Sequence, residues 1–358
     1  EPDFVTPWNV REAGIYSLEQ GHTHYSYNAG FIELREEIAN YLNRRFDLTY
    51  DPKNEIIVTV GGSEGIDIAL RALVGPGDEV IVPEPSFVAY KGCTAFTGAT
   101  SKVINLKAEN NFKLTAEELE EAITDKTKVV IIPFPNNPTG AVMTREDLRP
   151  IVDVLKDKDI IILSDEIYAE LTYGENHVSI ASFPEVREKT ILISGFSKAY
   201  AMTGWRLGYA AGNAEVIKLM TSVQSHVTSN ANSIAQYAGV EALNGPKDEI
   251  EKMVGKFEER RNLMIDRIKN ITGLSVIRPE GAFYVMINLE DYLGKSINEN
   301  VINNSVDFSR ELLEHEKVAV IPGSAFGLDK YIRLSYATSE ELILKGLDRI
   351  ESFLNKLK

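Results

Sequence analysis

The 358-residue sequence predicts an α/β protein, with a mainly parallel, mixed sheet between helices and a smaller α+β unit. Three observations lead there. Short apolar runs alternate with helical patterns through the first two thirds of the chain. After Asn213 the pattern turns helical, then returns as alternating strands between helices. The length also exceeds the size at which a single core stops growing, so two domains are expected.

Residues 56–60 read as a strand that passes through Gly61-Gly62-Ser63 into a helix over 64–73. Gly75-Pro76-Gly77-Asp78 is a turn before a strand at 79–82. Thr115-Ala116-Glu117-Glu118 is a capping box opening a helix to about residue 123. Residues 129–132 form a buried strand, Thr144-Arg145-Glu146-Asp147 opens another helix, and 160–163 is the next strand. Strands at 190–193 and 207–211 complete the sheet; such continuous apolar runs suit strands covered on both faces. Helices follow over 214–226 and 232–243, with a long amphipathic one over 247–271. The chain then reads as strands at 274–277 and 283–288, a helix near 304–315, strands at 318–321 and 331–336, and a closing helix over 339–354. We expect a large domain over 13–246 and a small one over 1–12 with 247–358, packed around a ligand cleft.

The bulk properties narrow the function. Lys plus Arg number 38 against 53 Asp plus Glu, a net charge of −15 that repels nucleic acid and anionic membranes. An anionic substrate therefore needs positive charge gathered inside a pocket. No run approaches a membrane-spanning length. The single cysteine, Cys93, rules out an intramolecular disulfide and fits a reducing cytoplasm. The five histidines show none of the spacings of a metal site, so no metal is expected. The start, Glu1-Pro2-Asp3-Phe4, has no basic and apolar leader and no methionine, so the native N-terminus is expected upstream and no signal peptide is read.

Several segments carry chemistry. Ser197-Lys198 follows the strand at 190–193, where a parallel sheet delivers side chains to a cleft, and Arg206 comes eight residues later. A lysine amine there suits attack on a carbonyl beside a phosphate; otherwise it is a solvated surface charge. Gly61-Gly62-Ser63-Glu64-Gly65 joins strand to helix, either as an anion-binding helix start or as a tight turn with a serine cap. It is neither a dinucleotide fingerprint nor a P-loop. Pro135-Asn136-Asn137-Pro138 is a stiff loop that either aims an amide at a ligand or simply turns the chain. Asp165 is the first carboxylate past an apolar strand, with Tyr168 three residues on. Such a buried acid wants a cation, for instance a protonated pyridine nitrogen, unless it only caps the next helix. Arg333, in the alternating strand Tyr331-Ile332-Arg333-Leu334-Ser335, presents a fork that matches a carboxylate, or faces outward.

Together and in this order, these motifs resemble the class I pyridoxal-phosphate aminotransferases of fold type I. The likeness runs over essentially the whole chain and is nearest to the prokaryotic aspartate/aromatic subgroup. It implies that Lys198 condenses with the cofactor aldehyde and shuttles the proton, and that Gly62, Ser63, Ser197 and Arg206 hold the phosphate. It further implies that Asp165 pairs with the ring nitrogen, that Tyr168 and Asn137 meet the phenolic oxygen, and that Phe87 stacks on the ring. Arg333, with Asn137, is implied as the clamp on the substrate α-carboxylate. Tyr25 matches a tyrosine reaching the partner subunit's phosphate, which makes a homodimer the expected assembly. Amino-acid and 2-oxo-acid substrates follow, with aspartate and glutamate ahead of aromatic amino acids. Arg71 is a candidate for a distal carboxylate, or else a solvated helix arginine. The resemblance departs at Gly195, where relatives often carry serine or threonine, so Ser194 or Ser197 is expected to take over that phosphate bond. It also places a glycine and a closing arm upstream of Glu1. Two rivals share the fold: a C–S β-lyase, and a non-catalytic regulator domain, which the acidic charge disfavours.

Overall fold

A computed structural model describes residues 1–358. The main sheet has seven strands: β1 (Ile56–Thr59), β2 (Glu79–Glu84), β3 (Thr100–Asn105), β4 (Thr127–Ile132), β5 (Ile161–Asp165), β6 (Thr190–Gly195) and β7 (Gly208–Ala211). Their order is β1-β7-β6-β5-β4-β2-β3. Strands β2 to β6 pair in parallel, and β7 runs antiparallel to both β6 and β1, so the sheet is mixed.

Side chains alternate across this sheet with period two. Val80, Val82, Val129, Ile131 and Leu163 share one face with residues of helices Gly61–Leu73 and Ala214–Val227. Ile81, Val130, Ile132 and Ile162 share the other with helices Ala116–Ala122 and Arg145–Leu155. Burial of each such side chain contributes about 1.5–3 kcal/mol, which explains why both faces must be apolar. The helix starts obey their capping boxes. Thr115 Oγ1 accepts from Glu118 N–H at 3.2 Å while the Glu118 carboxylate accepts from Thr115 N–H at 3.2 Å. Thr144 and Asp147 repeat the exchange at 3.2 and 2.9 Å.

A second sheet holds β8 (Ser275–Val276), β9 (Tyr284–Asn288), β12 (Ile321–Pro322) and β13 (Tyr331–Ser335), antiparallel in the order β12-β13-β9-β8; between them lies the hairpin β10 (Ser296–Ile297) and β11 (Asn300–Val301). Phe283, Val285, Ile287 and Ile332 pack there against Phe257, Phe308, Leu347 and Phe353 of helices Asp248–Lys269, Ser305–Glu316 and Glu340–Leu354. No helix is long and apolar enough to cross a membrane.

Some expectations need correction. The strand expected at 318–321 reduces to Ile321–Pro322, because Val318 and Val320 pack on the core without entering a ladder. The strand at 274–277 shrinks likewise to Ser275–Val276. The helix after β1 begins at Gly61, so the glycines belong to its first turn. Helices Trp8–Glu19, Ile32–Phe46 and Ala89–Thr97, and the edge strand β3, had no reading from sequence.

Candidate active site

The carboxyl ends of β1, β2, β4, β5 and β6 open onto one cavity of about 290 Å³, closed from the far side by β9 and β13. It lies where parallel strands collect ligands. Gly62, Ser63, Phe87, Asn137, Asp165, Tyr168, Ser197, Lys198, Arg206 and Arg333 all line it.

The glycine turn is demanded by crowding. Gly61 has φ +77°, and a Cβ there would stand 2.6 Å from an Arg206 guanidinium nitrogen. Gly208 crosses over the same turn, where a Cβ would stand 2.5 Å from the Gly61 carbonyl carbon, and a Cβ on Gly195 would lie 2.8 Å from Gly208 Cα. Gly195 is therefore glycine for packing, whatever relatives carry there. Ser194 does not replace it, since its hydroxyl donates to the Glu166 carbonyl at 3.3 Å; Ser197 is the serine that lines the cavity. The helix that begins at Gly61 has no side-chain cap, leaving first-turn N–H groups free for an anion beside Arg206. Arg206 itself is anchored by donation to the Thr203 carbonyl at 2.9 Å.

The two asparagines divide their tasks. Asn136 is fully buried, donating to the carbonyls of Pro85 and Pro133 and accepting from Thr139 at 2.8 and 3.1 Å. It staples the loop, so Asn137 alone faces the cavity, accepting from Arg333 Nη1 at 2.8 Å.

Asp165 ends β5 as a buried carboxylate with neutral donors only: Tyr90 O–H at 2.7 Å and Ile167 N–H at 3.2 Å. Burial raises its carboxyl above the ordinary value, and those two donors pull part of the way back. Beneath it, Glu166 accepts from Ser164 and Ser179 at 2.9 and 2.7 Å and meets His177 Nε2 at 2.8 Å, locking the strand end in place. Lys198 has no carboxylate partner; its Nζ lies 6.0 and 5.7 Å from the ring centres of Tyr168 and Phe283. Desolvation lowers its amine below the ordinary value, Arg206 and Arg333 push the same way, and Glu1 and Asp165 oppose them. Arg333 stands between the rings of Tyr284 at 4.3 Å and Phe326 at 4.9 Å, with no acid beside it. Burial lowers its guanidinium too, though an arginine stays charged.

The cavity thus holds a buried carboxylate lacking a cation, a half-buried guanidinium lacking an anion, and a depressed amine. Unpaired buried charges are costly unless a ligand completes them. A zwitterionic pyridine carrying a phosphate, together with a carboxylate substrate, matches this donor set; pyridoxal phosphate fits.

Two further residues named from the sequence lie outside this cavity. Arg71 bonds Asp67 at 2.8 Å on the helix surface and lies over Phe96, outside the cavity. Tyr25 is 87% exposed in a loop and does not reach this chain's own site. Sequence reasoning missed Tyr90 and Tyr284, both cavity-lining. Tyr90 lies in the first turn of helix Ala89–Thr97, whose start has no side-chain cap to announce it. A larger cavity of about 470 Å³ carries none of these motifs. There Arg45 Nε lies 3.2 Å from Glu170 and Lys247 Nζ donates to the carbonyls of Ala242 and Leu243.

The sequence model of the family described as "Aminotransferase class I and II" matches residues 1–350. A putative aminotransferase, YugH, of Bacillus subtilis (strain 168) is 49% identical over 358 residues, covering 99% of this chain and 90% of that protein. An aspartate aminotransferase of Bacillus sp. (strain YM-2) is 44% identical over 356 residues, with 99% and 90% covered. The solved aspartate aminotransferase of Rhizobium meliloti superposes with a TM-score of 0.97 at 40% identity, covering all of this chain and 90% of that one.

Proposed function

The chain belongs to the class I and II aminotransferases and is a fold type I, pyridoxal-phosphate-dependent aminotransferase; from that premise we propose how its residues divide the reaction. The observation that carries the proposal is the pair of complementary unpaired charges, Asp165 and Arg333, lining the same cavity as Lys198. Arg206, the N–H groups at Gly62 and Ser63, and Ser197 hold the cofactor phosphate. Phe87 covers one face of its ring. When bound, the cofactor supplies an electron-withdrawing ring that acidifies the substrate Cα–H. Asp165 keeps the proton on the ring nitrogen, and Tyr168 with Asn137 meets the phenolic oxygen. Arg333 takes the substrate α-carboxylate in a two-point grip, helped by Asn137, and so aims Cα–H at Lys198. The Lys198 amine removes that proton from Cα and would return it to the carbon on the far side of the substrate nitrogen, a 1,3 transfer by one base. A base must be neutral to act, and an amine held below its ordinary value is neutral more often near pH 7.

The donor we propose is aspartate or glutamate, with a 2-oxo acid as acceptor, supported by the names of the relatives at 44% and 40% identity. One observation favours an aromatic donor as the second reading. Lys198, Arg206 and Arg333 are the cations of the cavity, each already committed, while Phe87, Tyr90 and Tyr284 wall it. A kcat/KM panel of aspartate, tyrosine, phenylalanine and methionine against 2-oxoglutarate decides between them. Arg71→Ala should leave aspartate turnover within about twofold, as for other surface changes; a collapse specific to aspartate would return Arg71 to the substrate. Arg333→Leu should lower kcat/KM by roughly 30- to 1,000-fold for every donor, mainly through KM, because it strands a desolvated carboxylate. An unchanged KM would remove Arg333 from the α-carboxylate.

A homodimer with Tyr25 given to the partner's phosphate belongs to the same proposal. Tyr25, Tyr27, Trp8 and Tyr16 are exposed at 87, 67, 54 and 59%, aromatic side chains near the N-terminus that a second copy would cover. Cytoplasmic action is also proposed, supported by one buried free thiol, Cys93.

A further inference from the structure

Tyr284 has no role in the division of work above, yet it touches two of its principals. It sits on β9 with its partner Ser335 across the ladder, while Arg333 pairs with Met286. Tyr284 and Arg333 are therefore diagonal neighbours on one sheet face, within reach of long side chains. The guanidinium lies over the Tyr284 ring, 4.3 Å from its centre. The hydroxyl end of the same buried ring meets the Tyr168 hydroxyl at 3.1 Å, bridging the four-stranded sheet to the loop after β5.

A phenol has one proton to give. If Tyr168 spends its own on the cofactor's phenolic oxygen, as proposed above, the bond between the two tyrosines has only one possible direction. Tyr284 donates and Tyr168 accepts. A hydroxyl that accepts a hydrogen bond becomes a stronger donor, so the contact strengthens what Tyr168 offers. The ring face, meanwhile, holds Arg333 by a cation–π contact in place of the carboxylate it lacks. We propose that Tyr284 is a positioning residue with two separable handles, its hydroxyl acting through Tyr168 on the cofactor's phenolic oxygen and its ring orienting Arg333 for the substrate carboxylate. This rests on the cofactor and substrate roles assigned above.

The handles come apart in two variants. Tyr284→Phe keeps the ring and removes the hydroxyl; Tyr284→Leu removes both. The first readout is the pH midpoint of the visible absorbance band of holoprotein reconstituted with pyridoxal phosphate. The groups facing that chromophore are Asp165 with Tyr90 behind it, Tyr168, Arg206, Arg333 and Lys198 itself. A weaker Tyr168 donor stabilises the deprotonated form less, so both variants should raise the midpoint by roughly 0.4–1 pH unit, the worth of one net hydrogen bond. In a Tyr168→Phe background, Tyr284→Phe should add no further shift, because its route is gone.

The second readout is KM for the amino donor. Tyr284→Phe should leave it within about twofold, and Tyr284→Leu should raise it roughly 5- to 30-fold through the lost cation–π contact. A role in packing alone would lower the melting temperature and leave the midpoint where it was. An unmoved midpoint in Tyr284→Phe, or a shift that persists without the Tyr168 hydroxyl, overturns the first handle. Equal KM values for the two variants overturn the second. Wild-type protein that shows no lysine-bound visible band would instead sink the cofactor assignment itself, and this inference with it.

Discussion

Lys198→Ala is expected to lose about 10⁴-fold or more in kcat and to bind pyridoxal phosphate without the visible band of a lysine adduct. The size follows from two losses at one atom. Under the proposed division of the reaction, the Nζ amine is both the anchor for the aldehyde and the carrier of the Cα proton, and Lys198 is the only lysine lining the cavity. No neighbour can substitute: the Arg206 and Arg333 guanidinia stay protonated, and Asp165 is bound by Tyr90 and Ile167 N–H on the ring-nitrogen side. A small added amine should restore part of the rate, since the cavity it re-enters remains lined by Tyr168 and Arg206. The measurements are single-turnover kinetics with aspartate and an absorbance scan of the reconstituted variant. Turnover near the wild-type rate would refute the assignment of Lys198 outright. Borohydride reduction that fixes the cofactor to another lysine would refute it equally.

Three legible residues of this site, Lys198, Asp165 and Asn137, share one property: each lies at or shortly past the end of a strand whose apolar run is unmistakable. Thr190 to Ile193 is buried throughout, so Lys198 a few residues later has to emerge at the strand's carboxyl end. The same logic reaches Asp165 at the end of β5 and Asn137 after β4. Tyr90 and Tyr284 were not legible this way. Tyr90 meets Asp165 across 75 residues of sequence, and Tyr284 meets Tyr168 across 116, so only the packing of elements brings each pair together. Helix Trp8–Glu19 escaped notice because its inward side is Val10, Gly14 and Ser17 while Trp8, Tyr16 and Leu18 point out, the reverse of an amphipathic pattern. Arg71 takes the solvated helix-surface alternative of its two readings. Its distance from the phosphate turn is short in sequence, but helical geometry turns it outward onto Asp67.

Asp165→Asn should separate catalysis from stability, lowering the first while raising the second in the cofactor-free protein. In the holoenzyme, the amide cannot hold a proton on the ring nitrogen by charge. Breaking one partner of such a buried pair costs about 3–5 kcal/mol, so kcat should fall by roughly 10²- to 10⁴-fold and the cofactor should dissociate more readily. In the cofactor-free protein the sign reverses. The Asp165 carboxyl is raised above its ordinary 3.8 by burial, so the folded chain binds its proton more tightly than the unfolded chain does. Between 3.8 and that raised value, the folded state therefore loses stability as pH rises, and above it the full penalty persists. Asparagine carries no such penalty and keeps both hydrogen bonds: its oxygen accepts from Ile167 N–H, and its amide donates to a Tyr90 hydroxyl that has rotated. Cofactor-free Asp165→Asn should melt higher than cofactor-free wild type at pH 7, and the gap should close as pH drops through 3.8. Adding pyridoxal phosphate should then favour the wild type, because only the carboxylate gains a charged partner. Thermal melts at pH 7 and at pH 3, with and without cofactor, test every part of this. A variant that melts lower than wild type without cofactor would mean that Asp165 is already paired in the empty site, and the charge argument for the ring nitrogen would lose its ground.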